Sequence, residues 1–353
     1  MPILDKSKIR PDILKFMEDV ERVRALAIAE FFKIKENKGV DFQSLWSKVI
    51  QGNERALKGE DMQNYLNKEE QLFLAKFHRF SFEFRASYMQ KNVFPTALDN
   101  VKLEQVRVND VNAEWQNVPE ARKEHILFYL HGGGWIMGSP NTHRLFTIIL
   151  SRVTKMRVFS VDYRLAPEHP YPAALEDCTT TYNWLLSQEI KSENIILAGD
   201  SAGGYLTLMT LVKLRNKGLP LPAGAVCLSP ATDLAITGQS NFKNAPTDPI
   251  LADLGTFWWS LAYLAGADPK SPIVSPLYAD LTGLPPILIQ VSTSEMLYDD
   301  STRFAKRARS AGVDVTLQTW NDTLHVFPAY GLPESEEAIS KIAEFVQKQL
   351  STK

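Results

Sequence analysis

The chain has 353 residues, of which 44% are apolar and 23% charged, with a net charge of −2. That balance suits a globule with a sizeable core and gives no electrostatic reason to expect nucleic acid or an anionic membrane as a partner. No run approaches the roughly 18 apolar residues of a membrane span. The opening MPILDKSKIR also lacks the apolar core of a secretory leader, so we expect no stable membrane insertion and a cytoplasmic location. The two cysteines, Cys178 and Cys227, lie in apolar surroundings, as the buried free thiols of a reducing compartment do.

Residues 1–95 read as an all-helical N-terminal region. Ile13, Phe16, Met17, Val20, Val23, Ala27 and Phe31 recur on one helical stripe, Gly39 interrupts, and helical patterns resume over 41–50 and 61–90. The aromatics from Phe73 to Tyr88 are expected to bury against the neighbouring domain. From residue 96 to 353 the pattern changes to short apolar runs alternating with amphipathic helices. Strands are expected at 102–108, 126–130, 157–163, 194–198, 224–228, 286–291 and 314–320. Helices are expected at 141–154, 172–187, 202–217, 299–311 and 335–350. Runs such as ILFYL and NIILA are apolar throughout, as strands covered on both faces require. The alternation predicts an α/β fold with a mostly parallel central sheet and helices on both faces. Residues 234–281, containing GTFWWSLAYLAG and several prolines, interrupt it and read as an insertion with a helix of its own.

FYLHGGGWIMG, residues 128–138, places three consecutive glycines after an apolar run. Glycine there serves either a tight turn or N–H groups left open to an anion. NIILAGDSAGGYLTLM decides between them. The strand 194–198 runs through Gly199-Asp200-Ser201-Ala202-Gly203 straight into a helix, which is G-x-S-x-G at a strand–turn–helix junction. That sharp turn lifts Ser201 off the sheet as a nucleophile, beside a helix N-terminus. Acyl transfer then needs N–H donors for the oxyanion, and removing one costs roughly 3–4 kcal/mol of barrier. Ala202, Gly133 and Gly134 are the candidates; His131 and Gly132 order the loop they belong to.

The base is sought among six histidines. His78 and His125 lie away from the expected strand ends, His143 is early in a helix, and His169 stands in the loop EHPYP. His325, in NDTLHVF after the last strand, occupies the address that the order nucleophile–acid–histidine requires. For the acid, the segment STSEMLYDDS offers Glu295, Asp299 and Asp300. Capping of a helix beginning near Ser301 accounts for the two aspartates, and Glu295 is favoured over them.

HGGGW, DYRLAPEHPYPAALED, GDSAGG, SPLYADLTGLPP and the terminal H-x-F together resemble the hormone-sensitive lipase-like family of α/β-hydrolase carboxylesterases, over about residues 100–350. The resemblance implies an α/β-hydrolase fold, a serine esterase with Ser201, an acid after the penultimate strand and His325, and oxyanion donors at Gly133, Gly134 and Ala202. It also implies a helical cap built from the N-terminal helices and the 234–281 insertion. Where most relatives carry Asp-Pro-Leu at the acid, this chain has Glu295-Met296-Leu297, and its N-terminal region is longer than usual. The expected activity is hydrolysis of short- to medium-chain acyl esters through an acyl-enzyme. An amidase or deacetylase on the same triad, and a non-catalytic receptor of the same fold, are the alternatives. No cofactor or metal is called for; the expected partner is a small-molecule ester, and a homodimer is left open.

Overall fold

The computed structural model describes residues 4–252 and 257–351, apart from the side chain of Leu57; the first two residues of GTFWWSLAYLAG lie outside the described residues. Three helices come first: α1 (Pro11–Phe31), α2 (Phe42–Leu57) and α3 (Lys68–Asn92). Proline at the first position of α1 costs no hydrogen bond. The last of the three starts at a capping box, in which Asn67 and Glu70 satisfy each other's backbone N–H groups. That cap places 61–66 outside the helix expected at 61–90. The aromatics of this region bury chiefly on one another: Phe31 lies within 5.3–5.7 Å of the rings of Phe73, Phe77 and Phe80, and Phe42 within 4.7 Å of Phe77. The neighbouring domain receives only part of the stripe.

There follow β1 (Lys102–Val108), β2 (Val111–Asn117), β3 (Arg122–Leu130), α4 (Pro140–Thr154), β4 (Met156–Asp162), α5 (Ala173–Ser187), β5 (Ile195–Asp200), α6 (Ala202–Asn216) and β6 (Gly224–Leu228). The insertion carries α7 (Ser240–Lys243) and α8 (Phe257–Leu264). After it come β7 (Ile287–Ser292), α9 (Tyr298–Ser310), β8 (Val315–Trp320) and α10 (Ser335–Ser351). The strands form one eight-stranded sheet in the order β1-β2-β4-β3-β5-β6-β7-β8. β1–β2 and β2–β4 pair antiparallel, and every other neighbour pair is parallel.

Alternation along β3 shows how the sheet is covered. Ile126, Phe128 and Leu130 belong to one core with Leu175 and Tyr182 of α5, Leu206 and Met209 of α6, and Phe304 of α9. Leu127 and Tyr129 point to the other face, into a core with Phe146 and Leu150 of α4 and Ile342 and Val346 of α10. A strand with both faces covered has no polar side to show, which is why these runs are apolar throughout. The two cysteines are free and buried. Among the described residues no helix is long and apolar enough to cross a membrane.

The helices outside this layered unit meet one another. A side chain at Gly52 of α2 would run into Phe257 of α8, and Tyr65 meets the Phe257 ring at 6.0 Å. Trp259 of α8 in turn lies directly over Gly134. This arrangement brings α2 and α8 together over the strand ends where the glycine loop emerges.

Candidate active site

β5 delivers Ser201 at the centre of the sheet. Its backbone has φ 53° and ψ −117°, a strained conformation for a residue with a side chain. The strain is held by Ser201 N–H donating to Leu228 O at 2.8 Å, while Ser201 O accepts from Tyr205 N at 3.0 Å. A side chain at position 203 would stand 1.9 Å from Leu130 O, so the helix can press against β3 only with glycine there. Ser201, Ala202, Gly134, Trp135, Leu234, Leu251, Trp259 and Met296 help to line a cavity of about 90 Å³.

The glycine loop follows β3. Gly133 and Gly134 adopt φ of 115° and 58°, in the region that favours glycine. Among the described residues the N–H groups of Gly133, Gly134 and Ala202 donate no hydrogen bond. Asp200 ties this loop to the serine turn: its Oδ1 accepts from Gly132 N at 3.0 Å and from Tyr129 Oη at 2.6 Å. A side chain at Gly132 would collide with the same carboxylate. Burial pushes the Asp200 pKa up, but the adjoining His143, 3.4 Å away at Nε2, and the Tyr129 hydroxyl outweigh it, and the net direction is down. His131 is fully buried, its pKa lowered by burial to about 3. It is therefore neutral, and Nδ1 carries the hydrogen that Gly132 O accepts at 2.8 Å. Its ring stacks on Tyr163 at 4.1 Å, and Tyr163 Oη donates to His131 O. These contacts tie His131 to the glycine loop and to Tyr163.

On the opposite side, His325 Nδ1 meets Glu295 Oε1 at 2.9 Å, with both side chains buried. Glu295 Oε2 accepts from Ser292 N at 3.0 Å and Ser229 Oγ at 2.8 Å, and Ser229 Oγ accepts in turn from Val326 N. Burial by itself would lower the His325 pKa. The Glu295 charge and hydrogen bond, helped by Asp248 and Asp200, overcome that and raise it above its ordinary 6.5. Among the described residues Ser201 Oγ makes no hydrogen bond to His325, an opening common in unliganded sites that tighten around substrate.

Capping does not account for Asp299 and Asp300. The helix begins at Tyr298, with Leu297 as its N-cap, and both aspartates point away to the insertion. Asp300 Oδ2 accepts from Thr232 N and Asp233 N, and Asp299 Oδ2 from Ser240 N. They fasten the segment after β6 and leave Glu295 beside the histidine. Sequence reasoning missed His143 and Tyr129, which serve Asp200. It also missed Ser229, Asn244 and Asp248: Asn244 Nδ2 donates to Thr293 O and Glu295 O, and Asp248 Oδ2 accepts from Met296 N. These three come from the residue after β6 and from the insertion, so no local pattern marks them. Among the described residues no cluster of His, Cys, Asp and Glu could hold a metal.

A mostly parallel sheet bearing a serine on a strand–helix elbow defines an α/β hydrolase. The model of a family described by its alpha/beta hydrolase fold matches residues 127–329. An acetyl-hydrolase from Streptomyces hygroscopicus is 41% identical over 244 residues, covering 69% of this chain and 81% of that protein. An esterase from Acinetobacter venetianus is 38% identical over 250 residues, covering 69% of this chain and 82% of its own. A crystal structure of an esterase from the bacterial hormone-sensitive lipase family is 39% identical, covers 87% of this chain and 99% of that one, and superposes with a TM-score of 0.74. The chain belongs to the hormone-sensitive lipase-like family of α/β-hydrolase esterases.

Proposed function

We propose that the chain is a serine carboxylesterase hydrolysing short- to medium-chain acyl esters through an acyl-enzyme. Ser201 Oγ attacks the ester carbonyl while His325 Nε2 takes its proton. Glu295 at Nδ1 holds the tautomer and stabilises the imidazolium. The N–H groups of Gly133, Gly134 and Ala202 receive the oxyanion, with Asp200, Gly132 and His131 keeping the loop in place. His325 then gives the proton to the departing alcohol, and water repeats the cycle to release the acid. Residues 1–95 and 234–281 act as the cap, with Trp259 closing over Gly134 and excluding water. A small cavity of about 90 Å³ beside Ser201, walled by Trp259, Leu234, Leu251 and Met296, favours acyl groups of a few carbons.

The observation that carries the reading is the strained Ser201, which lines one cavity with Gly134 and Ala202, together with the buried Glu295–His325 pair. Ser201→Ala is expected to lower turnover of 4-nitrophenyl acetate by about 10⁴-fold or more and to abolish stoichiometric labelling by an organophosphonate, with an unchanged circular dichroism spectrum. Retained hydrolysis in the folded, uncontaminated variant would remove Ser201 from the mechanism. Because one relative is called an acetyl-hydrolase without naming the bond it cleaves, matched acetate and acetanilide substrates decide between ester and amide cleavage. Ester preference is expected.

A further inference from the structure

The glycine loop is held at both ends by side chains from elsewhere in the chain. Upstream, Gly132 N donates to Asp200 Oδ1 at 3.0 Å, which fastens the loop to the serine turn. Downstream, the fastening comes from α3, in the N-terminal region. Arg79 Nε donates to Ile136 O at 2.7 Å, and Arg79 Nη2 donates to Ala166 O at 2.8 Å. Ala166 N donates in turn to Trp135 O at 2.9 Å. Four residues along the same helix, Glu83 accepts from Ser139 Oγ and, at 2.6 Å, from Asn141 Nδ2, so both side chains work from one face of α3. Gly133 and Gly134 lie between the two sets of anchors.

Ile136 is fully buried, and among the described residues its carbonyl has no donor other than Arg79. Its N–H donates to Gly133 O at 3.2 Å, and Met137 N donates to the same oxygen at 3.1 Å. Arg79 therefore holds a short turn whose other end is Gly133 itself. The guanidinium is fixed from outside by Glu168, which accepts from Nη1 at 2.8 Å and from Nη2 at 2.7 Å. Burial alone would raise the Glu168 pKa, but the Arg79 hydrogen bond outweighs it and the net direction is down. Lys76, three residues before Arg79, points elsewhere: its Nζ donates to Asn37 Oδ1 at 2.8 Å, between α1 and α2.

Glycine makes this external hold necessary. Gly133 and Gly134 have φ of 115° and 58°, and without Cβ atoms their own backbone does little to keep those angles. An oxyanion donor works only if it already points to the place where the negative oxygen forms. A misplacement of about 1 Å costs on the order of 10²-fold in rate. We propose that Arg79 is a positioning residue for the oxyanion loop, with Glu83 securing the start of α4 beyond it, so that α3 takes part in stabilising the transition state. This rests on the serine-esterase reading above. The role is separate from that of a cap: a cap bounds the cavity, whereas the Arg79 bond sets the direction of the N–H groups.

Arg79→Met removes the donors and keeps the aliphatic stem. It is expected to lower kcat for 4-nitrophenyl butyrate by about tenfold or more, with KM changed less than threefold and partial recovery in Arg79→Lys. The sharper readout is inhibition by 1,1,1-trifluorohexan-2-one. Ser201 Oγ adds to its carbonyl carbon, His325 takes the serine proton, and the carbonyl oxygen becomes an oxyanion in the hole. Its inhibition constant should rise by the factor lost in kcat/KM, while that of hexan-2-one, which binds without an adduct, changes less than twofold. Lys76→Met, which loosens α3 elsewhere, should leave kcat and both constants within twofold of the wild type. If Arg79→Met does not fold, Glu168→Gln applies the same test at an exposed residue, with a loss of about two- to fivefold expected in kcat and in trifluoroketone affinity. Unchanged kcat and trifluoroketone affinity in the folded variant, equal losses for the two ketones, or the same losses in Lys76→Met would overturn the proposal. A wild-type protein that neither turns over the ester nor prefers the trifluoroketone to hexan-2-one would take down the serine-esterase reading, and the proposal with it.

Discussion

The Glu295 carboxylate is the residue on which the proposed proton transfer turns. It sits 2.9 Å from His325 Nδ1, and its second oxygen is occupied by Ser292 N and Ser229 Oγ, so the carboxylate cannot rotate away. His325 accepts a proton from Ser201 only when neutral, and the Glu295 charge holds its pKa above the ordinary 6.5. The acid limb of kcat/KM should therefore lie above pH 6.5, activity rising as His325 loses its proton. Glu295→Gln removes the charge and leaves burial to dominate, which moves that limb to lower pH. The plateau should fall by roughly 10³–10⁴, the scale of a lost tautomer anchor. Asp299→Asn and Asp300→Asn should cost far less activity, because their carboxylates hold Ser240, Thr232 and Asp233 instead. A pH–rate series on the three variants checks this; an unmoved acid limb in Glu295→Gln would separate that carboxylate from the histidine. The position of Glu295 right after an apolar run made it readable from sequence. The duties of Asp299 and Asp300 were not, because their partners lie some sixty to seventy residues away in the chain.

At the level of elements, close backbone approach explains the G-x-S-x-G spacing. The start of α6 packs against the end of β3 so tightly that a side chain at Gly203 would meet Leu130 O at 1.9 Å and His131 O at 2.5 Å. Neither carbonyl can yield without moving the strand that carries the glycine loop. Gly203→Ala is accordingly expected to destabilise the fold by about 3 kcal/mol, the upper end of ordinary overpacking, and to lower kcat by displacing the oxyanion donors. Thermal melting and soluble yield measure the first effect and 4-nitrophenyl acetate turnover the second; a melting temperature equal to the parent's would mean that β3 and α6 can part at no cost. The parallel strands could be read from sequence because they are apolar on both faces, but β2 could not. In VNAEWQN the buried positions include Glu114 and Gln116, which have no hydrophobic signature. They are inside because Arg144, Gln105 and Thr147 satisfy them. The usable signal was the turn: Asn109, with φ 54°, and Asp110 join β1 to β2 as a two-residue hairpin loop.

Across the whole molecule, the proposed pocket depends on segments distant in the chain. The insertion supplies Asn244 and Asp248 to the acid loop, and α8 supplies Trp259 over Gly134, while α2 braces α8 from behind. The sequence indicated the helical character of residues 1–95 and the interruption at 234–281. It could not indicate that Gly52 and Phe257 meet, since neither residue's local pattern refers to the other. That contact makes the proposed cap testable in the full-length chain. A side chain at Gly52 would stand 2.4 Å from the Phe257 ring and 2.8 Å from the Tyr65 ring, so Gly52→Val must push α8 away from α2 or turn both rings. Because Phe257 and Trp259 share α8, the displacement is carried to the lining of the cavity beside Ser201. Ser201, Glu295 and His325 sit on the sheet and its loops, outside α2 and α8. We therefore expect Gly52→Val to lower stability by about 1–3 kcal/mol and to move the preferred acyl length along a series of 4-nitrophenyl esters. The phosphonate should still label Ser201 stoichiometrically. A shift toward longer chains means that the cap sets the length limit, and a shift toward shorter ones that α8 has been driven inward. If the variant melts lower but keeps the parent's acyl-length profile, the α2–α8 contact only stabilises the protein and the N-terminal helices have no part in shaping the pocket.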